Sequence, residues 1–330
     1  MVSLDCGQGN RADEARVGVD MVSFIMPAWK RSFLRQAIES ILSQDYADFE
    51  LVVVDDASPE NLEEVVREFN DSRIIYKCNK ENIGGQDLVA AWNHAMEYAR
   101  GEFCVLASDD DEYAPGYLTE MMRLEEKYRD VDVFHCRLAF IDSASKQSGV
   151  SEIRNEYESG SEFLYNRAAR RMKQCAPEFM FRTEALRRVG GFVSFPRAWF
   201  SDDATWISLA KEHGVAYSSQ VLFSWRSSGE NISTLFSDVT EKLKAGEMYL
   251  EWLRSYINDF SAVSEKDRDM LLKSAKGVGY AVDHISFWVL HNAKFKDAVR
   301  AVLAVYPSFR MRVGFIFRMC KVAVKRVIKR

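Results

Sequence analysis

Apolar and polar residues alternate in blocks along the first 235 residues, and each block has the length of one strand or one helix. Short apolar runs, typical of strands buried on both faces, alternate with stretches of roughly ten residues whose apolar positions keep helical spacing. The predicted strands are 21–26, 49–54, 74–76, 103–107, 131–136, 179–181 and 216–225. The predicted helices are 33–44, 60–69, 87–99, 117–128, 162–172, 183–189 and 202–213. This alternation predicts an α/β fold with a mostly parallel sheet, while the polar stretch 142–160 is predicted to be a loop.

The pattern changes near residue 235. From residue 238 onward the strand signals are absent, and the apolar spacing predicts helices at 243–260, 267–291 and 296–305. We therefore predict an α/β domain at 21–235 and an α-helical C-terminal region at 236–330. Residues 1–20 are polar and aperiodic and lack the apolar core of a signal peptide. They are expected to pack little, as a disordered or non-native N-terminal extension.

Composition narrows the class of protein. The chain of 330 residues is 47% hydrophobic and 28% charged, with a net charge of −5, so its charge does not favour nucleic-acid binding. Its six cysteines show no C-x-x-C spacing, which fits a reducing, cytoplasmic compartment. No run of 18 apolar residues is present, so no spanning helix is expected.

The last 22 residues, 309–330, interleave apolar side chains with basic ones. From Arg310 onward there are eight Lys or Arg residues and no acid. Such a pattern predicts a basic amphipathic helix that lies on an anionic membrane surface. The alternative is a helix packed on the domain with its basic face in water.

Three acidic clusters lie where a parallel sheet would place a ligand. Asp55 and Asp56 follow one predicted strand, Asp109–Asp111 follow another, and Asp202 and Asp203 open a predicted helix. Ligands of open α/β sheets bind at the carboxyl ends of the strands, and adjacent carboxylates are more easily accommodated around a hard cation. Since no glycine-rich phosphate-binding motif is present, a phosphate ligand would need a carboxylate-bound metal, Mg²⁺ or Mn²⁺. Taken singly, each cluster also fits a solvated turn or a helix cap.

The order of these motifs resembles the family 2 glycosyltransferases over about residues 21–235. The segments that carry the resemblance are VSFIMPAWKR (22–31), VVVDDAS (52–58), WNHA (92–95), LASDDD (106–111), Gly190-Gly191-Phe192, Asp202-Asp203 and Trp225-Arg226. The resemblance implies a GT-A fold, a mostly parallel twisted sheet flanked by helices, here with an α-helical C-terminal extension. It also implies a nucleotide-sugar donor such as a UDP-sugar, a divalent metal and inversion at the anomeric carbon. The expected acceptor is a glycan or a lipid-linked sugar.

The resemblance assigns roles to individual residues. Pro27, Ala28, Trp29 and Arg31 are expected to pack against the nucleoside, Asp55 or Asp56 to bind the base, and Asp109 to bind the ribose. Asp110 and Asp111 are the expected metal ligands, and Asp203, beside Asp202, is the expected general base.

Three departures from the family pattern bear on these roles. Ala107 stands where an acid is common, so the metal register among 109–111 is open. Asp202 replaces a glutamate, and Ser227 and Ser228 stand where a histidine is frequent. A non-catalytic nucleotide-sugar-binding or assembly module is therefore the alternative function. A phospho-accepting signalling domain also places acid pairs after strands, but it would leave Asp203 without a role.

Overall fold

The structure is a computed structural model, and it describes residues 3–5, 18–168, 173–229, 231, 238–260 and 264–305. The strands of this part of the chain are β1 (Ser3–Asp5), β2 (Gly18–Ala28), β3 (Phe49–Asp55), β4 (Ile74–Cys78), β5 (Gly101–Leu106), β6 (Glu112–Tyr113), β7 (Val133–Asp142), β8 (Gln147–Val150), β9 (Tyr157–Glu158), β10 (Phe179–Arg182) and β11 (Val215–Ser227). The helices are α1 (Leu34–Leu42), α2 (Leu62–Arg67), α3 (Leu88–Met96), α4 (Tyr117–Lys127), α5 (Gly160–Ala168), α6 (Thr183–Arg188), α7 (Ser201–Leu209), α8 (Val239–Asn258), α9 (Glu265–Asn292) and α10 (Phe295–Val305).

All the described strands belong to one mixed sheet, with the order β1-β4-β3-β2-β5-β10-β7-β11-β6. Strands β8 and β9 pair at its side with β7 and β11. The strands β2, β3, β4 and β5 are parallel to one another, whereas β10 runs antiparallel between β5 and β7. The mostly parallel sheet flanked by helices is therefore confirmed, and the carboxyl ends of β2, β3 and β5 lie along one edge.

The sheet is covered on both faces by apolar side chains. One core packs α1, α2 and α4 against residues such as Phe24 and Leu51. The other core contains Val52, Trp206 and the apolar faces of α3, α6 and α7, and it continues into α8 through Leu243 and Leu250. Because every residue of β3 is buried, its Val-rich sequence has no alternation, as expected for a central parallel strand.

The C-terminal helices pack on the α/β domain. Helix α8 contacts the turn at 196–198 and helix α9, and α9 also contacts α5. The predicted α-helical C-terminal extension is confirmed by α8, α9 and α10, while the boundary near 235 stays a prediction. Within the described part of the chain, no helix combines the length and apolar character needed to cross a membrane. The predicted basic helix at 309–330 lies outside the described residues.

Local differences from the prediction have local causes. The stretch 142–160, predicted as a loop, contains β8, β9 and the first residue of α5. Strand β7 runs on to Asp142, whose side chain accepts hydrogen bonds from the Ala144 and Lys146 amides and so turns the chain back into β8. Helix α2 begins at Leu62 instead of residue 60, because Asn61 adopts a left-handed conformation with φ of 51°. For residues 1–20, β1 pairs in parallel with β4, and the predicted extension stays a prediction.

Candidate active site

The loops that follow β2 and β5 are joined by the first two acids of the Asp109–Asp111 cluster. Oδ2 of Asp109 accepts hydrogen bonds from the backbone amides of Trp29 and Lys30, each 2.8 Å long. The Lys30 ammonium lies 2.6 Å from Oδ2 of Asp110 and 3.3 Å from Oδ1 of Asp109. Both carboxylates are buried. The structure therefore brings the predicted nucleoside loop and the predicted metal loop together, with a lysine between them.

Lys30 was missed by the sequence reasoning, which singled out only Trp29 and Arg31 around it. Burial by itself would lower the pKa of Lys30, but the charges of Asp109 and Asp110 outweigh it and raise that pKa. The sequence signal that was available is the position of Lys30 shortly after a predicted parallel strand. A lysine directly after a parallel strand lies at the same sheet edge as acids that follow the neighbouring strand.

Asp111 and Arg226 hold the shape of the acidic loop. Oδ1 of Asp111 accepts the Arg226 amide at 2.8 Å, and the Ser108 hydroxyl donates to Oδ2. Burial, reinforced by the charge of Asp110, raises the pKa of Asp111 to about 8. The buried Arg226 guanidinium donates to the Asp110 carbonyl at 2.8 Å and forms an ion pair with Glu112. The Asp111 carboxylate thus joins the acidic loop to β11, whereas the Asp110 carboxylate contacts Lys30, Ser228 and Asn231.

Two polar residues after the Trp-Arg motif contact Asp110, and Ser228 is one of the two serines that stand where a family histidine is frequent. The Ser228 hydroxyl and the Asn231 amide lie 3.2 and 3.3 Å from Oδ2 of Asp110. Asn231 was not predicted, because it follows the Trp-Arg motif by five residues. Over the ranges that the structure describes, no group of three or more His, Cys, Asp or Glu residues could hold a metal. An acid with oxygen-bearing neighbours nevertheless fits Mg²⁺ or Mn²⁺, which proteins often bind through one or two carboxylates plus ligand phosphates.

Asp55, the last residue of β3, and Asp56, directly after it, accept hydrogen bonds from the neighbouring turns. Asp55 accepts the Tyr76 hydroxyl at 2.5 Å and the Ser58 amide at 2.7 Å. Asp56 accepts the Asn79 side-chain amide, 2.7 Å from Oδ1, and also the backbone amides of residues 83 and 84. Both acids therefore hold the turns that follow β3 and β4.

The predicted nucleoside loop, Pro27–Arg31, lies at the sheet edge. Ala28 is buried and stands opposite Asp55 in the β2–β3 register, and Pro27 is half-buried. Trp29 is 42% exposed, which excludes a buried core role for this residue. Arg31 instead donates to the start of α2, including the Glu64 carboxylate at 2.9 Å.

Asp203, the predicted general base, lies in the first turn of α7. Nε of Arg167, from α5, donates to Oδ1 of Asp203 at 2.7 Å, and Nη2 of Arg167 contacts the same oxygen. Both side chains are buried. Burial and the charge of Asp203 raise the pKa of the neighbouring Asp202 to about 7, although Arg167 acts in the opposite direction. Arg167 had no sequence signal, since it precedes Asp203 by 36 residues.

A strained turn sets the start of α7. Arg197, Ala198 and Phe200 have φ values of 57°, 54° and 66°, which are costly for residues with a Cβ. Arg197 forms an ion pair of 2.6 Å with Asp238, directly before α8. The C-terminal helices therefore support the turn that presents Asp202.

Asp111 of the acidic loop and Asp202 of α7 both affect the pKa of one buried thiol, that of Cys175. Burial raises the pKa of the Cys175 thiol well above its ordinary value, and the charges of Glu178, Asp111 and Asp202 add to that shift. The segment around Cys175 is anchored to the acidic loop by the Tyr113 hydroxyl, which donates to the residue 177 carbonyl at 2.8 Å. Asp111 and Asp202, 91 positions apart, thus lie within electrostatic range of one side chain.

The sheet carries acids at the carboxyl ends of its parallel strands, where open α/β sheets bind nucleotide ligands. The family model of Glycosyl transferase family 2 matches residues 23–190, just over half of the chain. The chain belongs to this family, which confirms the prediction of a family 2 glycosyltransferase.

A curated relative extends the likeness beyond that segment. The chain is 30% identical over 199 residues to the GalNAc(5)-diNAcBac-PP-undecaprenol beta-1,3-glucosyltransferase of Campylobacter jejuni, and the alignment covers 58% of this chain and 60% of that protein. The alignments to two other curated relatives cover 36% and 44% of those proteins. The chain thus spans between about one third and three fifths of the length of these relatives.

Solved structures share the fold at low identity. Staphylococcus aureus TarS in complex with UDP-GlcNAc superposes with a TM-score of 0.59 and 16% identity, covering 86% of this chain and 81% of that one. The mannosyltransferase PcManGT of Pyrobaculum calidifontis, in complex with GDP-Man and Mn²⁺, has a TM-score of 0.56 and 17% identity, covering 93% and 80%. These likenesses confirm the predicted GT-A fold.

Proposed function

We propose that this protein is an inverting glycosyltransferase that moves a sugar from a nucleotide diphosphate, in the first place UDP, to a hydroxyl of a glycan or lipid-linked acceptor. The observation that carries the proposal is the contact between Asp109–Asp110 and the Trp29–Lys30 loop at the carboxyl ends of β5 and β2. Nucleotides bind open α/β sheets at this edge. The UDP-GlcNAc complex of TarS supports the donor class, and the undecaprenol-linked substrate in the name of the Campylobacter relative supports the acceptor class.

In this proposal the donor lies across the edge of the sheet. Pro27–Arg31, with the exposed Trp29 ring, and the acids Asp55 and Asp56 hold the nucleoside, and Asp109 holds the ribose. Asp110 is the acid that we assign to Mg²⁺ or Mn²⁺, in keeping with the Mn²⁺ complex of PcManGT. Asp111, the other predicted ligand, orients the loop. A divalent cation bound there would neutralise the charge that develops on the leaving diphosphate.

Transfer with inversion needs a base on the acceptor side of the anomeric carbon. We assign this role to Asp203. Its Oδ2 takes the proton of the acceptor hydroxyl while the acceptor oxygen bonds to the anomeric carbon and the nucleotide diphosphate leaves with the electrons of the broken bond. Arg167 fixes the carboxylate through Oδ1, and Asp202 is the second candidate for the base.

The test is transfer or slow hydrolysis of labelled UDP-Glc, UDP-GlcNAc and GDP-Man, with Mn²⁺ or with EDTA. A thermal-shift screen of the same donors comes first. The expected result is turnover that EDTA and Asp110→Asn abolish. Asp269→Asn, which removes an exposed acid paired with Lys273 on α9, is the matched control and should leave turnover unchanged. Donor binding without turnover would favour a non-catalytic nucleotide-sugar-binding or assembly module, and no binding of any donor would contradict the proposal.

We further propose that the protein acts on the cytoplasmic side of a membrane. The unpaired thiols of Cys104, Cys136 and Cys175 and the proposed lipid-linked acceptor support this location. Attachment through 309–330 remains a prediction. Co-sedimentation with anionic liposomes that does not depend on residues 309–330 would contradict it.

A further inference from the structure

The Lys30 ammonium forms an ion pair with Asp110, the acid that we assign to the metal. It lies 2.6 Å from Oδ2 of Asp110, and its side chain is 24% exposed whereas that of Asp110 is 6% exposed. The backbone amide of Lys30 is held by Asp109. The side chain can therefore leave Asp110 without any change in the path of the loop.

A divalent cation and an ammonium group on one carboxylate oxygen repel each other, so that each lowers the affinity of the carboxylate for the other. This inference rests on the proposed function. We propose that Lys30 is the counter-ion of Asp110 in the metal-free protein and competes with the divalent cation. The diphosphate of the donor then takes up the Lys30 ammonium and leaves Asp110 to the metal. Metal and donor consequently bind with positive coupling, and each raises the affinity for the other.

The other groups around Asp110 cannot play this part. Ser228 and Asn231 contact the same oxygen but carry no charge. Arg226 is charged, but it is buried, and it is held by the Asp110 carbonyl, by Glu112 and by the residue 142 carbonyl at 3.0 Å. Among the residues that the structure describes, Lys30 is thus the cation with both a contact to this carboxylate and room to move.

The first measurement is Mn²⁺ binding to the metal-free protein without nucleotide, followed by the electron paramagnetic resonance of free Mn²⁺. Lys30→Gln should bind Mn²⁺ about tenfold more tightly than wild type, since a positive charge next to the ligand is removed. Lys30→Arg keeps the charge and should bind like wild type. The matched control is Lys244→Gln on α8, which removes a lysine from an exposed ion pair with Glu241 and should change the affinity by less than about twofold.

Three further measurements guard against trivial explanations. Adding Asp110→Asn to Lys30→Gln should remove the gain in Mn²⁺ affinity, which locates the metal at Asp110. In thermal unfolding, Mn²⁺ should raise the Tm of Lys30→Gln more than that of wild type. UDP binding in EDTA should weaken in Lys30→Gln by about threefold to tenfold, because a charge-assisted contact with the diphosphate is lost.

Failure of this inference is separable from failure of the proposed function. If wild type transfers sugar but Lys30→Gln binds Mn²⁺ no more tightly, the counter-ion role is overturned and the function stands. If Lys30→Gln gains Mn²⁺ affinity while no nucleotide sugar binds, the competition at Asp110 stands, and both the function and the exchange with the diphosphate fall.

Discussion

Because Asp203 forms a buried ion pair with Arg167, its role as general base can be tested separately from its contribution to stability. Both side chains are buried, and two guanidinium nitrogens contact one carboxylate oxygen. Removing one partner of a buried pair leaves the other charged and uncompensated, which costs about 3–5 kcal/mol of unfolding free energy. Asp203→Asn keeps an amide oxygen that can still accept from Arg167, so we expect its cost near the lower end.

The decisive set comprises Asp203→Asn, Arg167→Gln and the double variant. Urea denaturation should show that the double variant loses less stability than the sum of the single losses, because no buried charge is left alone. The rate of sugar transfer should show no such recovery in the double variant. Asp203→Asn should lower kcat by roughly two to four orders of magnitude, the usual contribution of a positioned base, and the double variant should stay equally slow. Donor affinity should change little in either.

Asp202→Asn is the internal control, since it makes the same chemical change at the adjacent position. It should lower kcat much less than Asp203→Asn. A double variant that transfers sugar at nearly the wild-type rate would refute the assignment of Asp203. A larger loss in Asp202→Asn would move the role to Asp202, whose pKa of about 7 suits proton transfer near neutral pH. Additive stability losses would refute the ion-pair argument itself.

Three other predictions concern pH, backbone and ligand. Burial raises the pKa of Glu178 to about 8, so the folded protein keeps this proton from about pH 4.5 to about pH 8 while the unfolded chain releases it, and stability falls as pH rises through that window. Glu178→Gln should remove this fall, so that urea denaturation shows the variant gaining at least about 1 kcal/mol on wild type between pH 5 and pH 8. Gly191→Ala should be more destabilising than Gly190→Ala. Both residues have positive φ, but only at Gly191 would the new Cβ meet a neighbour, the Asn93 Oδ1 at 2.5 Å. Equal losses in Tm would contradict this. Trp29→Ala should change the unfolding free energy by less than about 0.5 kcal/mol but weaken UDP binding by about 1 kcal/mol, and unchanged affinity in calorimetry would exclude stacking on this ring.

Much of the fold was predictable because its signals are local. A strand buried on both faces needs an unbroken apolar run, as in β3 and β5, and a helix needs apolar residues at helical spacing, as in α1 and α9. The acidic clusters were visible for the same reason, since each directly follows a strand or opens a helix. Edge strands were missed: β8 is exposed or half-buried, so its polar sequence lacks the apolar run of a central strand.

The position of β10 was not predictable. Its residues 179–181 were predicted to form a strand, but no local feature shows that it runs antiparallel between β5 and β7. Strand order depends on which apolar faces pack together after the chain has folded.

The partners of the site acids were likewise decided only by the tertiary structure. Lys30 meets Asp110 from 80 positions away, and Arg226 meets Asp111 from 115. Sequence alone could show that acids stand at the carboxyl ends of strands. It could not show which cation reaches each acid, because that depends on which strands become neighbours. The sequence therefore determined the elements and the type of chemistry, and the packing of the sheet decided which carboxylate holds the loop and which is directed at a movable cation.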